Sequence, residues 1–193
     1  MPLLLFPPWS KTQQQAQTAY KDEANTFTLA GNNFDEILAV DKGLQFPATQ
    51  VAATGANVLD DYEEGTWTPT MTADGGSSGQ TYTSRTGRYI KIGKLVTIYF
   101  SFELSAKGTL TGSLQVGGLP FTSDSPAVQY SGTLGWGTTV TSFYSMFTTM
   151  GENVGAAYIR GMSAAGISTT TIATAAIGND TSFFGSLTYQ ASA

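Results

Sequence analysis

The sequence contains no cysteine and no histidine among its 193 residues. The first absence removes disulfides, thiolate nucleophiles and cysteine-built metal sites together, and leaves the redox compartment open. The second removes the commonest general base near neutral pH and the commonest transition-metal ligand. Charge is scarce as well: Asp, Glu, Lys and Arg make up 12% of the chain, with a net charge of -5. So few cations argue against nucleic-acid binding through phosphate neutralisation. Long apolar runs are also missing, since none approaches the roughly 20 residues that a membrane span needs. Residues 1–9 are apolar but lack a basic n-region and are interrupted by Pro7 and Pro8, so they do not read as a signal peptide. No cofactor motif or metal-ligand spacing occurs, and none is expected to be used.

What remains is 41% hydrophobic, enough for a buried core. The length suits one domain of ordinary size plus an appendage. A surface poor in charge must be built from Thr, Ser, Gly, Gln and Asn, which favours strands and turns.

The chain divides near residue 60. Residues 1–60 read as an extended N-terminal arm and linker, and residues 61–193 as the folded domain. Pro7 and Pro8 favour an extended start, whose Leu3, Leu4, Leu5, Phe6 and Trp9 cannot bury one another. Two readings follow: an anchor that docks these five side chains on a partner, or a terminus folded back on its own domain. Ser10 could cap a helix through Ala24, with an extended arm as the competing reading. Asp41-Lys42-Gly43 between two apolar pieces is a turn signal for a short hairpin.

Strand signals begin at Thr66-Trp67-Thr68-Pro69-Thr70, where alternation puts Trp67 on one face and the small hydroxyls on the other. Gly75–Gly79 reads as a turn and Arg85-Thr86-Gly87 as a bulge or bend. Arg88–Ile92 and Leu95–Leu104 flank Gly93-Lys94, the pattern of a two-residue type II′ hairpin. Val96, Ile98, Phe100, Phe102 and Leu104 fall on one face of the second strand; Thr97, Tyr99, Ser101 and Glu103 fall on the other. Further strands are expected over Ser113–Val116, Val128–Trp136, Ser142–Thr149, Ala156–Met162, Thr169–Ile177 and Ser182–Ala191. Phe183, Leu187 and Tyr189 should line one face of the last. Many short strands at this spacing predict an all-β, antiparallel β-sandwich or jelly roll.

Four segments occur in a fixed order: Gly43-Leu-Gln-Phe-Pro-Ala-Thr, Leu59-Asp-Asp-Tyr-Glu-Glu-Gly-Thr-Trp-Thr-Pro-Thr, Gly87-Arg-Tyr-Ile-Lys-Ile-Gly-Lys-Leu-Val and Gly118-Leu-Pro-Phe121. Together they resemble a module of bacteriophage virion proteins, usually labelled tail fibre or structural protein. Phe184-Gly-Ser-Leu-Thr-Tyr189 is a weaker echo of its last strand. The resemblance covers about residues 43–121 and implies a virion surface protein with a β-sandwich head, assembled as a homotrimer, without catalytic residues. Only about sixty residues precede the folded domain here, which favours a capsid decoration, cement or head-fibre protein bound to the major capsid protein. A short tail fibre attached to tail proteins and recognising a host glycan is the alternative. In the first case Leu3–Phe6 and Trp9 would lie in grooves of the shell, each buried side chain contributing roughly 1.5–3 kcal/mol, multiplied by threefold repetition.

Several side-chain clusters admit both a functional and a plainer reading. Asp60, Asp61, Glu63 and Glu64 could hold a hard cation, but the Gly and Asn/Asp alternation of a binding loop is missing. A salt-bridged junction fits better, and in a trimer Asp61, Glu63 and Glu64 could cross a basic group of the neighbour that includes Arg88, Lys91 and Lys94. Asp74, Glu103, Asp124, Glu152 and Asp180 are scattered acids rather than a glycosidase pair. Trp136, Tyr130, Phe143, Tyr144, Phe147 and Tyr158 could stack on sugars, but suit core or subunit contacts better.

Overall fold

A computed structural model of the chain describes residues 61–125, 128–137, 140, 143–162 and 169–192, together with Phe46 and Leu59. Twelve strands occur among them: β1 (Tyr62–Trp67), β2 (Thr70–Ala73), β3 (Ser77–Ser78), β4 (Thr81–Ile92), β5 (Leu95–Ala106), β6 (Thr109–Leu110), β7 (Leu114–Gly117), β8 (Tyr130–Trp136), β9 (Ser145–Met150), β10 (Ala157–Met162), β11 (Thr169–Thr171) and β12 (Ser182–Gln190). The described residues include no α-helix, only one 3₁₀ turn at Thr174–Ala176.

The β4–β5 hairpin is the spine. Ile92 pairs with Leu95 across Gly93-Lys94, and Gly93 takes the left-handed φ of +56° that the first position of this turn requires. Val96, Ile98, Phe100, Phe102 and Leu104 are all buried, as their alternation predicts. On the other side of β5 lies β12, in register from Ser182 opposite Glu103 to Gln190 opposite Leu95. Its Phe183, Leu187 and Tyr189 join the same core.

All pairings are antiparallel, and the main sheet runs in the order β1-β4-β5-β12-β8-β9-β10-β7-β2, with β11 beside β10. Its two terminal strands are consecutive in the chain, separated only by Thr68 and Pro69. One sheet must therefore curl until its ends meet at that corner, and its two halves pack face to face as a sandwich. Pro69, which has no N–H to leave unpaired, is buried at the corner. Two contacts close the fold there. The Met71 backbone N–H donates to the Tyr82 hydroxyl (2.8 Å), and Trp67 Nε1 donates to the Arg88 carbonyl (3.2 Å). Phe100, Phe102 and Phe183 from one half meet Met71, Leu114, Met150 and Ile159 from the other.

Three local expectations are corrected. Arg85-Thr86-Gly87 neither bulges nor bends the strand, because the irregularity of β4 lies at Tyr82. Gly87 is small for another reason: it pairs with Trp67, and a Cβ there would sit 2.6 Å from the indole ring. Residues 169–177 form a three-residue strand followed by the 3₁₀ turn, not one long strand. Gly75–Gly79 is more than a turn, since β3 within it pairs with β6. Gly87→Ala is expected to displace the indole and cost about 1–3 kcal/mol. Urea unfolding monitored by tryptophan emission would measure it.

Candidate functional site

The first strand of the domain enters beside β4, with Glu63 opposite Lys91, Gly65 opposite Tyr89 and Trp67 opposite Gly87. Side chains alternate across a strand, so Asp61 and Glu63 share the inward face with Trp67, while Tyr62, Glu64 and Thr66 face out. On β4 the inward set is Lys91, Tyr89 and Gly87. Two acids and one base are thus turned into the same corner of the fold.

There Lys91 Nζ contacts Asp61 Oδ2, with both side chains buried (8% and 5% exposed). The ammonium also lies 5.5 Å from the centre of the Phe121 ring, which meets the Tyr89 ring edge-on at 5.2 Å. Burial, then the neighbouring Glu63 carboxylate, then Asp61, push the Tyr89 pKa upward. Phe121 is fixed in turn by its carbonyl, which accepts a hydrogen bond from the Tyr189 hydroxyl (2.8 Å). Burial also raises the Tyr189 pKa, outweighing that hydrogen bond.

The sequence pattern allows the acids of this stretch to meet a neighbouring subunit's basic group. Asp61 and Lys91 instead meet within one chain, because β1 and β4 are adjacent strands. Glu63 is half-buried beside them. Glu64, Arg88 and Lys94 are exposed. The expected anchor residues Leu3, Leu4, Leu5, Phe6 and Trp9 lie outside the described residues, as does Asp60.

The outward face of the same strands has two zones. Tyr62, Ile92 and Leu95 stand side by side across β1, β4 and β5, with Ile90 one pair further along, and all four are exposed. Phe46 is half-buried and tilts against Tyr62 at 6.4 Å. Further along the sheet, Tyr99 (51% exposed) and Phe184 (52%) are diagonal neighbours on β5 and β12. The Phe184 ring lies over Gly135 of β8, where a Cβ would come within 2.3 Å of it. Such cross-strand cover of a glycine by an aromatic ring stabilises a sheet. Hydroxyls surround the two rings, and Thr133 and Ser186 are hydrogen-bonded to each other at 3.0 Å.

No protein-family model, curated protein or solved structure matches this chain. The resemblance drawn from the sequence therefore rests on its own motifs, and the structure places most of them in contact. Of the aromatic residues first considered for sugar stacking, Trp136 and Phe143 pack against the core, and Tyr130 packs on Tyr189 with its hydroxyl bonded to Asp124 (2.8 Å). Tyr144 is 76% exposed. Tyr99 and Phe184 were not among those candidates, although alternation along β5 already placed Tyr99 on the face opposite the core.

Proposed function

We propose that this chain is a non-enzymatic structural protein of a bacteriophage virion, a trimeric capsid decoration, cement or head-fibre protein held by its N-terminal arm. One observation carries this reading. Those segments of the resemblance that lie among the described residues, though spread along the sequence, form one contiguous unit: Asp61 on Lys91, Glu63 beside Tyr89, Trp67 over Gly87, Phe121 against Tyr89, and Tyr189 bonded to Phe121. Residues that hold each other in place are what a shared module would retain, whereas chance matches have no reason to meet.

The apolar zone of Tyr62, Ile90, Ile92 and Leu95 supports assembly, because adjacent large apolar side chains on an outer sheet face favour burial against another surface. Light scattering on the purified full chain is expected to give three copies per particle. Ile92→Glu should dissociate them while leaving the β-sheet circular dichroism unchanged, since Ile92 is exposed. A monomeric wild type at about micromolar concentration would contradict the trimer.

The second reading, a short tail fibre that recognises a host-surface glycan, is favoured by Tyr99 and Phe184. Flat, half-exposed rings among hydroxyls suit stacking against sugar C–H faces combined with polar contacts. In that case Tyr99→Ala abolishes binding to host cells while changing stability by no more than about 0.5 kcal/mol, as expected of a surface position. Binding unchanged in that variant would remove the second reading.

A further inference from the structure

We propose that the side chains of Asp61 and Lys91 become joined by an amide bond, so that the first strand of the domain is covalently tied to β4. The inference rests on the cluster at the corner of the fold and is independent of the virion reading. Four observations support it.

The two reacting groups already touch, Lys91 Nζ against Asp61 Oδ2, in a place from which water is largely excluded. Their backbones are fixed by the β1–β4 ladder and by the hydrogen bond from Gly93 N–H to the Asp61 carbonyl (2.9 Å). Holding an amine against a carboxyl carbon in this way replaces a bimolecular encounter with an intramolecular one, the largest single advantage available to a condensation. Phe121 and Tyr89 wall the site with aromatic surface. Finally, a second carboxylate is present. Glu63 stands directly opposite Lys91 in register, on the same inward face, close to Tyr89.

Strand alternation turns Glu63 inward, and an ion pair between Asp61 and Lys91 makes no use of it there. A condensation does need it. Lys91 gives a proton to Glu63, and the free amine attacks Cγ of Asp61 to form the C–N bond. Glu63 delivers this proton to one Asp61 oxygen, then takes a second proton from the nitrogen of the tetrahedral adduct and passes it to the same oxygen, so that the C–O bond breaks and one water leaves. Atoms, charge and electrons balance without an oxidant, cofactor or further reactant. Exclusion of bulk water from the corner protects the new amide from the reverse reaction. Asp61 and Lys91 are the reacting groups, and Glu63 is the proton shuttle.

The test is the intact mass of the purified full chain under denaturing conditions, followed by proteolysis and fragment sequencing. The wild type is expected to be lighter than its sequence by one water and to yield a branched peptide joining residues 61 and 91. Lys91→Arg should show no deficit, which also controls for processing at the termini. Glu63→Gln should fold but accumulate the uncrosslinked mass. A wild type at full sequence mass, with the two segments released as separate linear peptides, would overturn the proposal. Full crosslinking in Glu63→Gln would overturn the role given to Glu63. The decisive measurement uses the wild type, so a variant that fails to fold does not weaken it.

Discussion

Replacing Phe102 with alanine is expected to lower stability by about 3–5 kcal/mol, one of the two largest losses that single substitutions in this domain should produce. Phe102 is 1% exposed and sits at the centre of an aromatic group, with Tyr82, Phe100 and Phe183 at ring separations of 6.1, 6.2 and 6.0 Å. Truncation leaves a cavity bounded by three rings that β4, β5 and β12 hold in place, so the site has little means of collapsing. Tyr82 is coupled to it: its hydroxyl accepts the Met71 N–H that helps close the curled sheet. The loss should thus extend to the corner between β1 and β2. Urea denaturation at equilibrium would measure it. A change below about 1 kcal/mol would mean that the two halves of the sheet do not depend on this contact.

The second large effect concerns Asp61. Asp61→Ala leaves the Lys91 ammonium buried without its partner, which costs about 3–5 kcal/mol. The double variant Asp61→Leu with Lys91→Met removes both charges and restores packing, and for a purely ionic contact it should recover most of that loss. With an amide present, the double variant still lacks the tie and remains below the wild type. Comparing the two variants by the same denaturation assay therefore separates electrostatic from covalent stabilisation.

Much of this fold was legible because period-two alternation is a strong signal. Val96, Ile98, Phe100, Phe102 and Leu104 identify the core face of β5 without reference to any other strand, and Gly93 marks the turn before it. The strand order was not legible. That β1 and β2 end up at opposite ends of one curled sheet depends on long-range pairing, and local pattern carries no information about it. Short strands such as β3 and β6 escaped notice because two residues are too few to show a periodicity.

The corner cluster could have been found. Val96 lies on the core face, and a two-residue turn places Lys91 opposite it, so Lys91 must point inward. The same parity, counted back from Trp67, turns Glu63 and Asp61 inward. Reading charged residues as surface residues hid this, because charge outweighs parity in most strands. Gly87 was misread for a related reason: glycine in a strand marks either a bulge or a close approach, and only the structure shows the Trp67 ring above it.

The most direct test of the proposed function is the copy number of this chain in purified phage particles, quantified by mass spectrometry against the major capsid protein. The account predicts hundreds of copies, in a simple ratio to the capsid protein and in a multiple of three. A few dozen copies or fewer would move the protein to the tail and bring the glycan-facing rings of Tyr99 and Phe184 to the fore. Absence from the particle would contradict the account.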